Sequence, residues 1–157
     1  MRGPILCFGE LLLRLGAPGF ERILQSPRFE VCVGGAEANV AAALAQWGHP
    51  VAMLGQVADN PLGSAALGEL RRLGVDTSRV LRGAGRMGLY FFEQGAMRRP
   101  SEVVYDRAHS AFALAQPQFY DWSGLLGGGA RPPRPRGSPA RGPGGARPGP
   151  APAAAPR

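Results

Sequence analysis

The chain has 157 residues, of which 45% are hydrophobic and 18% are charged, so it holds enough apolar material for one small domain or for part of a larger one. All 18 basic residues are arginines, which excludes a Walker A loop, a protein-kinase strand lysine and a lysine Schiff base. Two histidines and two cysteines are too few for a zinc cluster with the usual ligand spacing, so no metal site is predicted.

The apolar run Pro4–Leu15 predicts one buried strand that ends at Gly16. Glu10 interrupts this run and Arg14 follows it without a small-residue cleavage site, which argues against a signal peptide. No stretch approaches the ~18 uninterrupted apolar residues of a membrane span. We therefore predict a soluble cytoplasmic protein with no membrane partner.

Arg28–Val33 alternates between apolar and polar residues, and this alternation predicts a second strand with its three apolar side chains on one face. Cys7 and Cys32 each lie in one of these two strand-like runs. We expect both to be buried free thiols of a protein in a reducing compartment.

A helix is predicted over Ala36–Trp47, and Gly48 ends its pattern. Six of its residues are alanine, which suits close packing of a helix onto a sheet. Its predicted apolar face consists of the residues at positions i, i+3, i+4 and i+7, namely Val40, Ala43, Leu44 and Trp47.

Val51–Val57 predicts the next strand, and a second helix follows it. Asn60 is the expected N-cap of this helix, Pro61 its first residue and Gly74 its stop signal. Since strands and helices alternate, we expect right-handed crossovers and a parallel sheet.

Three short alternating segments come next, Arg79–Arg82, Met87–Glu93 and Glu102–Arg107. No helical pattern separates the last two, so we expect a small antiparallel sheet outside the main one. A further helix is expected to start near Asp121.

The composition changes after Leu126. Residues 127–157 comprise 9 Pro, 8 Gly, 7 Ala, 6 Arg and one Ser. Such a segment cannot offset its ordering entropy, so we expect it to be disordered. The net charge of +7 belongs to this tail, because 12 arginines nearly balance the 11 acidic residues of the first 126 positions.

Two interpretations of the tail stay open. A basic arm for nucleic acid is one, but the tail lacks the aromatic residues that stack on bases. The favoured hypothesis is a frameshift, since Gly, Ala, Arg and Pro have codons made of G and C alone. The predicted domains are therefore a folded portion, residues 1–126, and a disordered tail, residues 127–157, for which a frameshift is the favoured hypothesis. Nucleic acid is not an expected partner.

The stretch "VGGAEANVAAALAQWGHPVAMLGQVADNPLG" contains a two-glycine loop, Gly34–Gly35, with Asn39 on the first helical turn and a downstream Gly/Asp pattern. It resembles the first signature of the ribokinase-like (PfkB-type) carbohydrate kinases, although Ala58 replaces a usual glycine. The segments "FGELLLRLGAPGFERILQSPRFEV" and "RPSEVVYDRAHSA" are most similar to the 2-keto-3-deoxygluconate kinases of that family. The resemblance covers Ile5 to Leu126, and it implies an incomplete ribokinase-like three-layer α/β sandwich with a small β-sheet lid.

The glycine loop predicts a ligand site on physical grounds as well. Gly34 and Gly35 let the backbone approach a ligand closely, with free N–H groups at the helix start. The Asn39 amide offers donors and an acceptor together, which suits sugar hydroxyls. The alternative is a plain tight turn followed by a solvated asparagine, and spacing alone does not decide between them.

Period two places Tyr105 and Arg107 on one face of the last strand. The resemblance implies that Tyr90, Tyr105 and Arg107 hold an acid sugar, whose carboxylate a guanidinium can grip through two hydrogen bonds. The alternative is a surface salt bridge from Arg107 to Asp106 or Glu102.

Arg14 lies where many relatives of other specificity carry a sugar-binding aspartate, which argues against a fructokinase or ribokinase mode. The resemblance also implies ATP and Mg²⁺ as cofactors and a homo-oligomeric complete enzyme. In the family, the nucleotide and the catalytic aspartate lie in the C-terminal half, at a Gly-Ala-Gly-Asp-type motif. No such motif occurs here, so no catalytic or cofactor-binding residue is assigned to this chain.

We therefore expect the chain to supply the sugar-binding half of a kinase that phosphorylates a sugar acid, 2-keto-3-deoxygluconate in the first place. One alternative is a fructokinase-like or other neutral-sugar kinase. The other is a non-catalytic fragment or a nucleic-acid-binding protein that acts through its arginine-rich tail.

Overall fold

A computed structural model describes residues 3–126. The tail that was predicted to be disordered, residues 127–157, lies outside the described residues. The elements in chain order are β1 (Ile5–Phe8), β2 (Leu12–Gly16), β3 (Glu30–Gly34), α1 (Ala36–Gln46), β4 (Val51–Ala58), α2 (Pro61–Arg72), β5 (Asp76–Gly83), β6 (Gly88–Glu93), β7 (Glu102–Asp106) and α3 (Trp122–Leu126). None of the helices within this range is long and apolar enough to cross a membrane.

Three strands form a parallel sheet in the order β1-β4-β5. Helix α2 connects β4 to β5, and its start matches the sequence prediction, because the Asn60 side chain accepts a hydrogen bond from the Gly63 backbone N–H at 3.0 Å. Gly74 follows the helix with a φ of +89°, a conformation that glycine adopts without strain. The predicted parallel α/β sheet is confirmed.

Both faces of the parallel sheet are covered. Met53 and Val57 of β4 pack into one apolar cluster with residues of α1 and α2, whereas Leu54 packs into a second cluster with Tyr120 and Leu125. Because successive residues of a strand point to opposite sides, the helices α1 and α2 cover one face and the segment that ends in α3 covers the other. This gives the three layers that were predicted.

The single strand predicted over Pro4–Leu15 is wrong. The chain forms β1 in the parallel sheet, leaves it at Gly9–Leu11, and enters a second sheet as β2. The pairing of β1 ends where the Gly9 N–H donates to the Leu54 carbonyl at 3.1 Å, and the next pairing begins between Leu12 and β3. A continuous apolar run conceals this change because both strands consist mainly of apolar residues.

The second sheet has four strands in the order β3-β2-β6-β7. It is mixed, since β2 and β6 are parallel while the two outer pairs are antiparallel. The predicted antiparallel partner Arg79–Arg82 is wrong, because this segment belongs to β5 of the parallel sheet. The crossover through α2 brings it beside β4, and the chain's earlier strands β2 and β3 complete the mixed sheet instead.

The predicted apolar face of α1 holds for Leu44, which packs against the core, and is wrong for Val40, Ala43 and Trp47. Ala38 and Ala41 are buried against the core, whereas Val40 is 54% exposed and Trp47 is 75% exposed. The alanines let the helix approach the sheet closely, and Val40 and Trp47 lie outside that contact.

The prediction of two buried thiols holds for only one of them. Cys7 is buried and Cys32 is exposed, and neither forms a disulfide. Burial raises the pKa of the Cys7 thiol, and the negative charge of Glu37 adds to this effect. Cys32 is exposed because β3 lies at the edge of the mixed sheet.

Candidate functional site

The two-glycine loop joins β3 of the mixed sheet to α1. A side chain at Gly34 would place its Cβ 2.8 Å from the Tyr90 hydroxyl oxygen, so Tyr90 reaches across this glycine. Gly35 has a φ of +136°, and a Cβ there would collide with the carbonyl oxygen of Glu10. Gly35 therefore requires glycine, because its φ is positive and backbone approaches it closely. At Gly34 the close neighbour is the end of the Tyr90 side chain.

The two predicted tyrosines lie side by side. Tyr90 on β6 is directly opposite Tyr105 on β7, and their ring centroids are 5.7 Å apart. Tyr105 is 62% exposed, and the Tyr90 hydroxyl makes no hydrogen bond to any described residue. The structure thus brings Gly34, Tyr90 and Tyr105 together and leaves both phenol groups available to a ligand.

Arg107 follows β7, and its Nε donates to the Glu10 carboxylate at 2.6 Å. The alternative of a surface salt bridge to Asp106 or Glu102 is wrong, because Asp106 pairs with Arg86 instead. The Arg107 side chain is 50% exposed. Its terminal nitrogens have no hydrogen-bond partner within residues 3–126.

Sequence reasoning missed Glu10 as a site residue. It was noted only as an interruption of the apolar N-terminal run, yet it is 5% exposed and lies between the glycine loop and Arg107. The available signal was a charged residue inside a run that was expected to be buried. Such a residue is almost never buried without a partner, so its position indicates a basic residue beside it.

Asn39 lies on the exposed first turn of α1, where its backbone N–H donates to the Gly35 carbonyl at 2.9 Å. Within the described range its amide forms no hydrogen bond to the other five predicted site residues. Among the described residues the side chain of Asn39 is therefore connected neither to the other predicted site residues nor to any other hydrogen-bond partner.

Arg14 occupies the same sheet face as Tyr90, because the two are register partners on β2 and β6. Its guanidinium carbon lies 5.7 Å from the centroid of the Phe92 ring, and one terminal nitrogen lies 3.5 Å from the Cys32 sulfur. No carboxylate of the described residues pairs with it. This face of the mixed sheet thus combines positive charge with aromatic rings.

ATP and Mg²⁺ need side chains that the described residues do not bring together. Residues 3–126 contain no group of three His, Cys, Asp or Glu side chains that could hold a metal ion. They also contain no Gly-Ala-Gly-Asp-type helix start. The described residues do not fit these two cofactors, and no phosphoryl-transfer step is assigned to them.

Comparison with known proteins gives consistent relatives. The 2-dehydro-3-deoxygalactonokinase of Haloferax volcanii is 39% identical over 117 residues, covering 74% of this chain and 37% of the relative. The solved 2-dehydro-3-deoxygluconokinase of Thermotoga maritima is 50% identical with a TM-score of 0.78, covering 81% of this chain and 39% of the other. A fructokinase of Xylella fastidiosa, solved with bound ATP, is 28% identical with a TM-score of 0.62, covering 74% and 34% of the two chains.

The chain spans little more than a third of the length of these relatives. Residues 4–126 match the family described as pfkB family carbohydrate kinase. This match takes in both sheets and the glycine loop between them. The chain belongs to the PfkB family of carbohydrate kinases.

Proposed function

We propose that this protein provides the sugar-binding part of an ATP-dependent kinase whose substrate is a 2-keto-3-deoxy sugar acid, 2-keto-3-deoxygluconate in the first place. Family membership supports the kinase chemistry. The names of the relatives from H. volcanii and T. maritima support the acid class, since 2-dehydro and 2-keto denote the same group. The ATP-bound relative supports the phosphoryl donor, and Mg²⁺ is proposed with it.

The observation that carries the proposal is the half-exposed Arg107 guanidinium, which follows β7 two residues after Tyr105. Glu10 engages only its Nε, so the two terminal nitrogens keep the paired geometry that a carboxylate accepts. A neutral hexose offers no anionic partner for this group. The acid is therefore the better match in charge and in shape.

The remaining predicted residues serve the sugar's polar groups in this proposal. Tyr90 and Tyr105 provide hydroxyl groups that donate or accept. Gly34 and Gly35 form the floor on which the sugar lies, and Asn39 adds an amide at the start of α1. These residues bind and orient the sugar, while ATP supplies the transferred phosphoryl group. The homo-oligomer, the cytoplasmic location and the domain boundary after residue 126 stay predictions.

The test is a Tyr90→Phe substitution in the full chain. We expect calorimetric titration with 2-keto-3-deoxygluconate to show a Kd raised about 3- to 10-fold, the value of one lost hydrogen bond. The unfolding midpoint stays unchanged, because the Tyr90 hydroxyl has no partner among the described residues.

The matched control is Tyr120→Phe, which removes a hydroxyl from the second apolar cluster. We expect it to leave the Kd unchanged. Equal affinities of all three proteins, or no binding of the acid by the unchanged chain, would contradict the proposal.

A neutral-sugar kinase is the second candidate, and the fructokinase relative favours it. Titration of the same chain with fructose discriminates between the two. Tighter binding of fructose than of the keto acid ends the acid-sugar proposal.

A further inference from the structure

Glu10 occupies the short link Gly9–Leu11 that carries the chain from the parallel sheet to the mixed sheet. Its side chain is 4% exposed. A carboxylate in such a position is costly unless it is paired and hydrogen-bonded. Its surroundings therefore show what holds it there.

Both carboxylate oxygens of Glu10 bind the segment that follows β7. Oε2 accepts from the Arg107 Nε at 2.6 Å, and Oε1 accepts from the Ser110 hydroxyl at 2.5 Å. Ser110 is fully buried, and its Oγ accepts in turn from the Ala113 N–H at 3.1 Å. The carboxylate is thus satisfied on both sides by residues of one loop.

The backbone packs closely around Glu10 and restricts its movement. A Cβ at Gly88 would collide with Oε1, and a Cβ at Gly35 would collide with the Glu10 carbonyl oxygen. Glu10 is therefore wedged between the glycine loop and the start of β6. A side chain confined in this way gives its partner a fixed reference point.

The backbone that carries Arg107 has a separate anchor. Arg86 forms an ion pair with the Asp106 carboxylate and donates to the carbonyl oxygens of Asp106 at 3.2 Å and Ala108 at 2.9 Å. Arg86 thus holds the main chain on both sides of Arg107. Glu10 is left to set the direction of the Arg107 side chain.

We propose that Glu10 is a positioning residue, which orients the Arg107 guanidinium so that its free edge meets the carboxylate of the sugar acid. The inference rests on the proposed function. A planar guanidinium that is held at Nε presents its two terminal nitrogens from a fixed plane. Binding then orders fewer rotamers, and affinity for a carboxylate rises for that reason.

The test compares an acid with its neutral counterpart in the full chain. Glu10→Ala and Glu10→Gln are titrated with 2-keto-3-deoxygluconate and with its methyl ester. We expect Glu10→Ala to weaken binding of the acid about 10-fold or more and binding of the ester less than about 2-fold. A Glu10→Ala/Arg107→Lys double variant shows no further loss beyond Arg107→Lys alone, because the two residues act as one unit.

A second measurement does not depend on the sugar. The ¹⁵N–¹H resonance of the Arg107 Nε, assigned by its loss in Arg107→Lys, shifts upfield in Glu10→Gln and exchanges with water faster in Glu10→Ala. Glu21→Ala is the matched control, since Glu21 is exposed and its side chain has no hydrogen-bond partner in the described part of the chain. It changes none of these readings.

Equal losses for acid and ester overturn the positioning role, and so does an unchanged Nε resonance. Where Glu10→Ala fails to fold, Glu10→Gln carries the comparison, because its amide keeps an acceptor for Ser110. If the unchanged chain binds neither acid nor ester, the proposed function fails, and the Nε resonance alone decides whether Glu10 orients Arg107.

Discussion

The two sheets of this molecule are stabilised in different ways. Every residue of β4, the centre of the parallel sheet, is buried, whereas every residue of β7, an edge of the mixed sheet, is exposed. The parallel sheet is held by apolar packing on both faces. The mixed sheet joins this core through one face, by Leu13 with Leu89 packed against it, and carries ion pairs such as Arg86–Asp106 and Arg99–Glu93. Tyr90 and Tyr105 lie on its other face.

The strongest test of this difference uses two methionines. Met53 in β4 is fully buried, and Met97 between β6 and β7 is fully exposed. Met53→Ala is expected to lower the free energy of unfolding by about 2–5 kcal/mol through lost burial and a cavity. Met97→Ala changes it by less than about 0.5 kcal/mol. Urea denaturation measures both, and similar losses would contradict the contrast between the sheets.

Two glycines, Gly63 in α2 beside the parallel sheet and Gly34 at the end of β3 in the mixed sheet, test how readily each region accommodates an added methyl group. A Cβ at Gly63 in α2 would collide with the backbone carbonyl of Ala58, whereas a Cβ at Gly34 meets the end of the Tyr90 side chain. Gly63→Ala is expected to cost about 1–3 kcal/mol, because backbone must move. Gly34→Ala leaves stability nearly unchanged, because Tyr90 can rotate away.

Because the added methyl group displaces Tyr90, Gly34→Ala is also expected to change the affinity for the sugar. We expect its Kd for the keto acid to rise several-fold, about as much as in Tyr90→Phe, while Gly63→Ala leaves the Kd of the folded fraction unchanged. A Gly34→Ala protein that binds normally would show that Tyr90 does not need its present position.

Two tyrosines provide the smallest expected difference in the free energy of unfolding. The Tyr120 hydroxyl is buried without a hydrogen-bond partner in the described residues, and Tyr105 is largely exposed. Tyr120→Phe is expected to raise the free energy of unfolding by about 1 kcal/mol at pH 7, because an unsatisfied polar group is removed. Tyr105→Phe is the control and leaves the free energy of unfolding unchanged.

Alkaline pH widens this difference. Burial raises the pKa of Tyr120 from 10.0 to about 12, so the folded protein holds the phenol proton more tightly than the unfolded chain does. Between these two pH values the unfolded state loses the proton first, and the unchanged protein loses stability as pH rises. Tyr120→Phe lacks this loss, which denaturation at pH 7 and pH 11 detects. Parallel pH profiles of the two proteins would contradict the burial of this hydroxyl.

Local sequence signals predicted β4 and the helices α1 and α2 well. The cap at Asn60 and the stop at Gly74 depend on a few neighbouring residues, so spacing alone locates them. The glycine loop is equally local, because its two residues join one strand to the next helix. Such features follow from backbone chemistry that acts over one or two turns.

The remaining features depend on partners far away in the chain. The change of sheet at Gly9–Leu11 depends on β6, the later strand that pairs with β2. The Glu10–Arg107 ion pair joins residues near opposite ends of the described range. Periodicity also selected Val40 and Trp47 for the buried face of α1, although the fully buried positions of this helix are Ala38 and Ala41. Hydrophobic patterns rank residues by polarity, whereas the distance between a helix and a sheet selects them by size.

The central pairing of the mixed sheet has a consequence for how the protein folds. β2 pairs with β3 soon after both are synthesised, but its other edge waits for β6, which follows the whole of α1, β4, α2 and β5. Contacts of such long sequence separation form late, because a long loop must close first. We therefore expect the nascent chain to expose an open strand edge at β2 until residues 88–93 leave the ribosome. The surface proposed to bind sugar thus assembles only after all three strands of the parallel sheet have been synthesised.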